Sequence, residues 1–276
     1  MSAYRHLKHA GNFGDVLKHI VLLELLQAMV ADEAGFLYVD THSGAGLYRL
    51  FPDRTGKRQG YLDGVARLLQ LDWPELAPYR AALASFNDGG RLRIYPGSPL
   101  LAARCLRRRD RGRLHELQVD EFERLRQNLV AHGNCLACHG DGLDGLLAAL
   151  PPADGRVLAL LDPAYQENIE YELAVDTLRA AHGAFPQGTY ALWYPVIERE
   201  RVERMQRQLV DAGIRTIQVF ELGLTADDSR SGMTAAGMLV INPPAQLMDK
   251  MQALLPRLAQ VLGEKEQAFT CCLQLA

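Results

Sequence analysis

GFLYVDTHSGAG, residues 35–46, reads as a short apolar strand (35–40) that ends on an acid and runs straight into a turn punctuated by glycines (41–46). Upstream, DVLKHIVLLELLQAMVA (15–31) has helical periodicity, with Asp15 near its start as the expected cap. Downstream, RLRIY (91–95), RLHELQ (113–118), CLACHGD (135–141), RVLALLD (156–162), TYALWYP (189–195), RTIQVFEL (215–222) and GMLVINPP (237–244) are further strand candidates. Most are separated by helical stretches, at 120–131, 142–150, 170–182 and 198–212. This alternation predicts an α/β fold with a mainly parallel sheet and helices on both faces.

Residues 51–90 interrupt the rhythm. A polar, basic loop is followed by two helical segments without a clear strand. They are either a longer connection packed on the sheet or an inserted helical subdomain beside a binding cleft.

The chain has 276 residues, a formal net charge of −3 and 48% hydrophobic residues. That suits one large domain with an insertion and argues against a protein that coats nucleic acid through overall charge. The apolar stretch at 20–29 contains Glu24 and Gln27 and lacks a small-residue cleavage pattern, so it does not read as a secretion signal. No run approaches the roughly 18 apolar residues of a membrane span. The expectation is a soluble, cytoplasmic protein whose five cysteines are thiols.

In an open parallel sheet, ligands bind beyond the carboxyl ends of the strands, which makes the residues after each strand the place to look for chemistry. Glycines at 44 and 46 let the backbone approach a ligand closely, and a following helix start favours a negative group. The plain alternative is an ordinary strand-to-helix turn. Glu116, near the end of RLHELQ, is placed to accept ribose hydroxyls; its alternative is a solvated charge. Asp141-Gly142 ends CLACHGDG, where a short acid suits an adenine amino group, and YPGSP (95–99) adds Ser98 in a rigid turn.

LALLDPAYQE (158–167) ends a strand on Asp162 and follows it at once with Pro163, Ala164 and Tyr165. A structural role would be helix capping, with proline at the first helical position. The chemical role is acceptance of the protons of one exocyclic amine by the Asp162 carboxylate and the Pro163 carbonyl, with Tyr165 stacking on the attached base. Such an amine is a poor nucleophile because its lone pair is delocalised into the ring. Two acceptors favour a pyramidal nitrogen that can attack an electrophilic methyl.

DPAY resembles the (D/N)PP(Y/F) motif of amino-group methyltransferases, and DTHSGAG resembles their S-adenosylmethionine loop. With YRHLKHAGNFGDVLKH, YPGSP, HELQ, DG, YALWYP and RSGMTAAGMLVINPP, nearly the whole chain resembles the RlmJ family, which methylates the N6 of an adenine in 23S ribosomal RNA. The resemblance implies a Rossmann-like class I methyltransferase fold, with residues 1–50 and 92–276 as the main domain and 51–91 as the inserted helical subdomain. It implies direct methyl transfer from S-adenosyl-L-methionine to adenine 2030 of protein-free 23S rRNA by a monomer, without metal. It sets the cofactor against Lys18, His19, His42, Ser98, Glu116, Asp141, Gly142 and Asp162. Asp162 is then the catalytic acceptor, Pro163 and Tyr165 bind the target base, and Tyr4 lies near the RNA. The residues alone favour Glu116, Asp141 and the 41–46 turn; for Lys18 and His19 they suggest a snorkelling lysine and a satisfied histidine. Position 164 is alanine where the family pattern has a second proline, which leaves both proposed acceptors in place.

Other motifs read as decoys or as surface. INPP (241–244) reads as a helix start. CLACH (135–139) matches a haem-attachment pattern, but its cysteines suit a strand core better than a metal. Six arginines within 104–113 form either a solvated helix face or a phosphate-binding patch, with Arg54, Lys57 and Arg58 as a second patch and Ser229–Gly232 as either a further contact or a mobile lid. Two other functions are compatible with the site residues: methylation of adenine in DNA, and RNA binding by a catalytically silent protein.

Overall fold

The computed structural model describes residues 9–50, 60–153, 155–226, 232–263 and 266–276. Tyr4, Arg54, Lys57, Arg58 and Ser229–Ser231 lie outside them. Ten strands are described: β1 Leu37–Asp40, β2 Leu47–Arg49, β3 Ile94–Pro96, β4 Arg111–Glu116, β5 Cys135–His139, β6 Val157–Leu161, β7 Thr189–Val196, β8 Ile217–Gly223, β9 Ala235–Ile241 and β10 Phe269–Gln274. Eight form one sheet in the order β10-β8-β9-β7-β6-β1-β4-β5.

The β5, β4, β1, β6 and β7 strands run parallel. Buried on both faces, β6 is the uninterrupted apolar run VLALL. From β1 the chain crosses to β4 on one side and later returns to β6 on the other. The carboxyl end of β1 is therefore a topological switch point, where a crevice opens for ligands. β9 is antiparallel between β7 and β8, and β10 is antiparallel on the edge of β8.

Three elements depart from the strand reading. RLRIY does not join the main sheet; its β3 pairs with β2 in a separate antiparallel ribbon. Neither β2 nor β10 stood out in the sequence, being a short segment with one buried residue and a half-buried edge strand. The four helices expected between strands are Val119–Asn128, Gly142–Ala148, Ile169–Ala184 and Arg199–Asp211.

Helix α1, Phe13–Ala31, is buried around much of its circumference, because the sheet covers one side and other helices cover the rest. Asp15 is not its cap. Asn12 is, accepting the Asp15 N–H at 2.9 Å. Between the ribbon strands, residues 60–90 form short helices, among them Val65–Leu68 and Ala77–Ala84. Their Val65, Leu68, Tyr79 and Leu83 share one apolar cluster with Leu17, Leu22 and Leu25 of α1.

Two polar motifs fall at the far edge of the sheet. β9 runs against its neighbours, so Ile241 pairs with Tyr190 at the beginning of β7, and the INPP stretch leaves the sheet at the amino edge of the parallel strands. Its prolines precede, rather than open, the helix Leu247–Leu262. The arginine run also lies there, since Arg111 pairs with Leu37 at the start of β1. It is not a helix face: helix Ser98–Cys105 ends before most of it. Arg107 is tied down by Asp110 and by the carbonyls of Val30, Asp32 and Ala34. All five cysteines are free thiols.

Candidate active site

A cavity of about 660 Å³ opens at the carboxyl edge of the parallel strands, around the end of β1. Lys18, His19, His42, Ser98, Glu116, Asp141, Gly142, Asp162, Pro163 and Tyr165 all line it. Residues far apart in sequence thus meet because each follows a strand or faces the same crevice from α1.

Asp162 follows β6, but the next helix begins only at Ile169 and has Asn168 at its cap position. Helix capping is therefore not the role of Asp162. Instead, its Oδ2 accepts a hydrogen bond from Lys18 Nζ at 2.6 Å. The same ammonium lies 2.8 Å from Asp15 Oδ1. Lys18 is buried, not snorkelling. Burial alone would lower its pKa, but the two carboxylates outweigh that and hold it well above the ordinary lysine value.

Tyr165 adopts a φ of +52°, unusual for a side chain other than glycine. Its hydroxyl donates to the Trp193 carbonyl at 2.8 Å, and its ring lies 4.4 Å from that of Tyr171 and 6.0 Å from that of Trp193. The turn after Asp162 is thus pinned to the end of β7.

The neighbouring strand ends use their acids twice. Glu116 is buried, not a solvated charge, and accepts the N–H groups of Gly44 at 2.8 Å and Gln118 at 2.7 Å. Burial raises its pKa while those two N–H groups oppose the rise. Asp141 caps helix Gly142–Ala148 by accepting from Leu143 N and Asp144 N through Oδ1. Gly142 packs against the β1 loop so closely that a Cβ there would lie 1.9 Å from the Thr41 carbonyl oxygen. Only glycine permits this approach.

Beneath the loop sits Asp40, fully buried, which accepts from the Tyr38 hydroxyl at 3.0 Å and from His42 N at 3.3 Å. Burial pushes its pKa up to about 6; the Ser98 hydroxyl bond opposes this and the nearby Asp162 charge adds to it. Burial pulls His42 down to about 4, Asp141 partly opposing, so its imidazole is neutral at neutral pH. His19 Nδ1 lies 2.8 Å from the Tyr95 hydroxyl, which in turn reaches Tyr79. The satisfied-histidine reading describes that contact well.

Sequence reasoning assigned no chemical role to Asp15, Asp40 or Trp193, whose ring centroid lies 5.8 Å from Lys18 Nζ. One signal was available: an acid and a lysine three residues apart on an otherwise apolar helix must be paired to be buried. Trp193 lacked any such mark.

The family described as "Ribosomal RNA large subunit methyltransferase D, RlmJ" matches residues 33–271. The chain belongs to the RlmJ family. A relative in Haemophilus influenzae, ribosomal RNA large subunit methyltransferase J, is 43% identical over 265 residues, covering 95% of this chain and 94% of the relative. The protein of the same name in Escherichia coli is 41% identical, covering 93% and 92%. A crystal structure of a Legionella pneumophila protein superposes with a TM-score of 0.89 at 31% identity, covering 96% of this chain and 98% of that one. As a member of the RlmJ family, the chain is an S-adenosylmethionine-dependent methyltransferase of 23S ribosomal RNA with the Rossmann-like fold of that class. Among the described residues, no helix is long and apolar enough to cross a membrane.

The cavity suits such a methyl donor. Its volume falls within the usual small-molecule range of roughly 300–1,000 Å³. It joins the carboxylates of Glu116 and Asp141, at the ends of adjacent strands, to the close-packed glycine turn after β1.

Proposed function

We propose that this chain transfers a methyl group to the N6 amine of one adenine, adenine 2030, in protein-free 23S rRNA, acting as a cytoplasmic monomer. The observation that carries the reading is the Asp162–Lys18 contact of 2.6 Å at the edge of a cavity lined by Pro163 and Tyr165. Lys18 favours the ionised form of Asp162, and a carboxylate accepts a hydrogen bond from an amine more strongly than a carboxylic acid does. The Pro163 carbonyl is the second acceptor. Together they orient the amine and favour a pyramidal nitrogen.

Glu116, Asp141, Gly142, His42, Ser98, Lys18 and His19 are the residues that would hold S-adenosylmethionine, which when bound supplies the electrophilic methyl. Glu116 takes the ribose and Asp141 the adenine, each with its strand-end carboxylate. The target base must leave its stack, at a cost of a few kcal/mol, which the aromatic wall of Tyr165 offsets in part. Tyr4 and the 51–91 insertion are the proposed RNA-facing parts, since the arginine run at 104–113 lies at the opposite edge. Ala164 leaves both acceptors intact.

The test is methyl transfer from labelled S-adenosylmethionine to unmodified 23S rRNA, with matched DNA in parallel, followed by nucleoside analysis. N6-methyladenosine from RNA alone is the expected result. Product from DNA would broaden the substrate, and measurable cofactor binding without product from either would overturn the reading.

A further inference from the structure

The contact between Lys18 and Asp162 is half of a longer chain of contacts. Lys18 Nζ sits between Asp162 Oδ2 at 2.6 Å and Asp15 Oδ1 at 2.8 Å. The other oxygen of Asp15 accepts the Gly11 N–H at 2.8 Å. Both Asp15 and Lys18 are 3% exposed, so neither contact is diluted by solvent. Gly11, at φ +79°, belongs to the turn that leads into α1, and its carbonyl accepts the Val65 N–H of the insertion at 2.9 Å. A Cβ at Gly64 would lie 2.1 Å from that same carbonyl oxygen, so turn and insertion are in tight contact.

We infer that Asp15 is a positioning residue for methyl transfer, which fixes the Lys18 ammonium between two carboxylates and thereby sets the orientation and charge of Asp162. A buried ammonium facing Asp162 alone would be wholly committed to it and would draw off the electron density with which the carboxylate accepts the amine protons. Shared with Asp15, the ammonium holds Asp162 in place without neutralising it, because two carboxylates and one ammonium leave a net negative charge. The second oxygen of Asp15 ties this arrangement to the 9–12 turn and, through Gly11, to Val65. The inference rests on the proposed role of Asp162 as the amine acceptor.

The experiment is single-turnover methyl transfer to 23S rRNA at saturating cofactor and RNA, with cofactor Kd and melting temperature measured on the same preparations. For Asp15→Asn, the rate at saturating cofactor is expected to fall about 10- to 100-fold, as for a misplaced catalytic group, a larger change than any in cofactor Kd. Asp15→Glu keeps the charge but displaces it by one methylene, and its rate should lie between those of Asp15→Asn and wild type. If Asp15→Asn does not fold, Asp15→Glu decides alone: transfer slowed at saturating cofactor supports the inference, and the wild-type rate overturns it. A full rate in Asp15→Asn, or a loss confined to cofactor Kd, also overturns it.

Asp162→Asn separates this inference from the reading beneath it. If that variant keeps full activity, Asp162 is not the acceptor and the underlying reading fails. If it is slow while Asp15→Asn is not, only the present inference fails. The double variant should be no slower than Asp162→Asn alone, because the two residues act as a unit. A further drop by the full Asp15→Asn factor would show that Asp15 acts elsewhere.

Discussion

Asp162-Pro163 and Asn242-Pro243 look alike in sequence, each closing an apolar strand with a short polar residue and a proline, yet they do unrelated work. Asp162 leaves β6 at the carboxyl edge, lines the cavity and engages a buried ammonium. Asn242 leaves β9 at the opposite edge, at φ +52°, and its amide donates to the carbonyls of Pro186 and Gly188. The difference lies in strand direction: β6 is parallel to β1, whereas β9 is antiparallel to β7 and β8. A local motif therefore acquires its chemistry from the edge to which the sheet delivers it.

Substitutions at the two motifs should separate activity from stability. Asp162→Asn is expected to lower the methyl-transfer rate by about 10²–10⁴-fold while keeping cofactor binding, as seen by single-turnover kinetics beside calorimetric titration. Asn242→Ala should leave the rate near wild type but reduce unfolding free energy by about 1–3 kcal/mol, from two carbonyls losing a donor and an alanine forced to positive φ. An Asn242→Ala protein that is stable but inactive would break the comparison. Tyr165→Phe removes only the hydrogen bond to the Trp193 carbonyl and should cost about 1 kcal/mol in chemical denaturation, with most activity retained.

A subtler test uses pH. His42 has its folded pKa pulled down to about 4 from 6.5, so it contributes stability above pH 6.5 that is lost as pH falls through that window. Asp40, raised to about 6 from 3.8, acts in the opposite sense, because its folded form takes up a proton more readily as pH falls below 6. His42→Gln should therefore lose less stability than wild type between pH 6.5 and 4, read from melting temperatures across that range. The smallest effect belongs to the far edge. Arg108→Ser with Arg109→Ser should leave both RNA affinity and its salt dependence near wild type, whereas a shallower salt slope would bring the arginine run into the RNA interface.

The cavity was legible in the sequence to the extent that strand ends were. Glu116, Asp141 and Asp162 each follow an apolar run, and parallel strands bring such ends to one edge. The 41–46 turn was legible because glycine has few other reasons to recur after a buried strand, but it leads into strand β2 and not into the expected helix. Asp15 was misread as a cap, because capping and ion pairing both favour an acid in the first helical turn and only the packing of α1 distinguishes them. Asp40 sat in plain view within GFLYVD, but nothing local showed that it would be fully buried.

By itself, then, the sequence determined the alternation of strands and helices, the apolar character of β6 and the polar residues that end the parallel strands. Those follow from hydrophobic periodicity and turn chemistry, which act over a few residues. Tertiary structure alone decided the direction of β9, the ribbon that removes β3 from the main sheet, and the meeting of Asp15, Lys18 and Asp162. These depend on which faces pack together, and the cost of burying the Lys18 charge is offset by Asp15 three residues away together with Asp162, 144 residues away in the sequence.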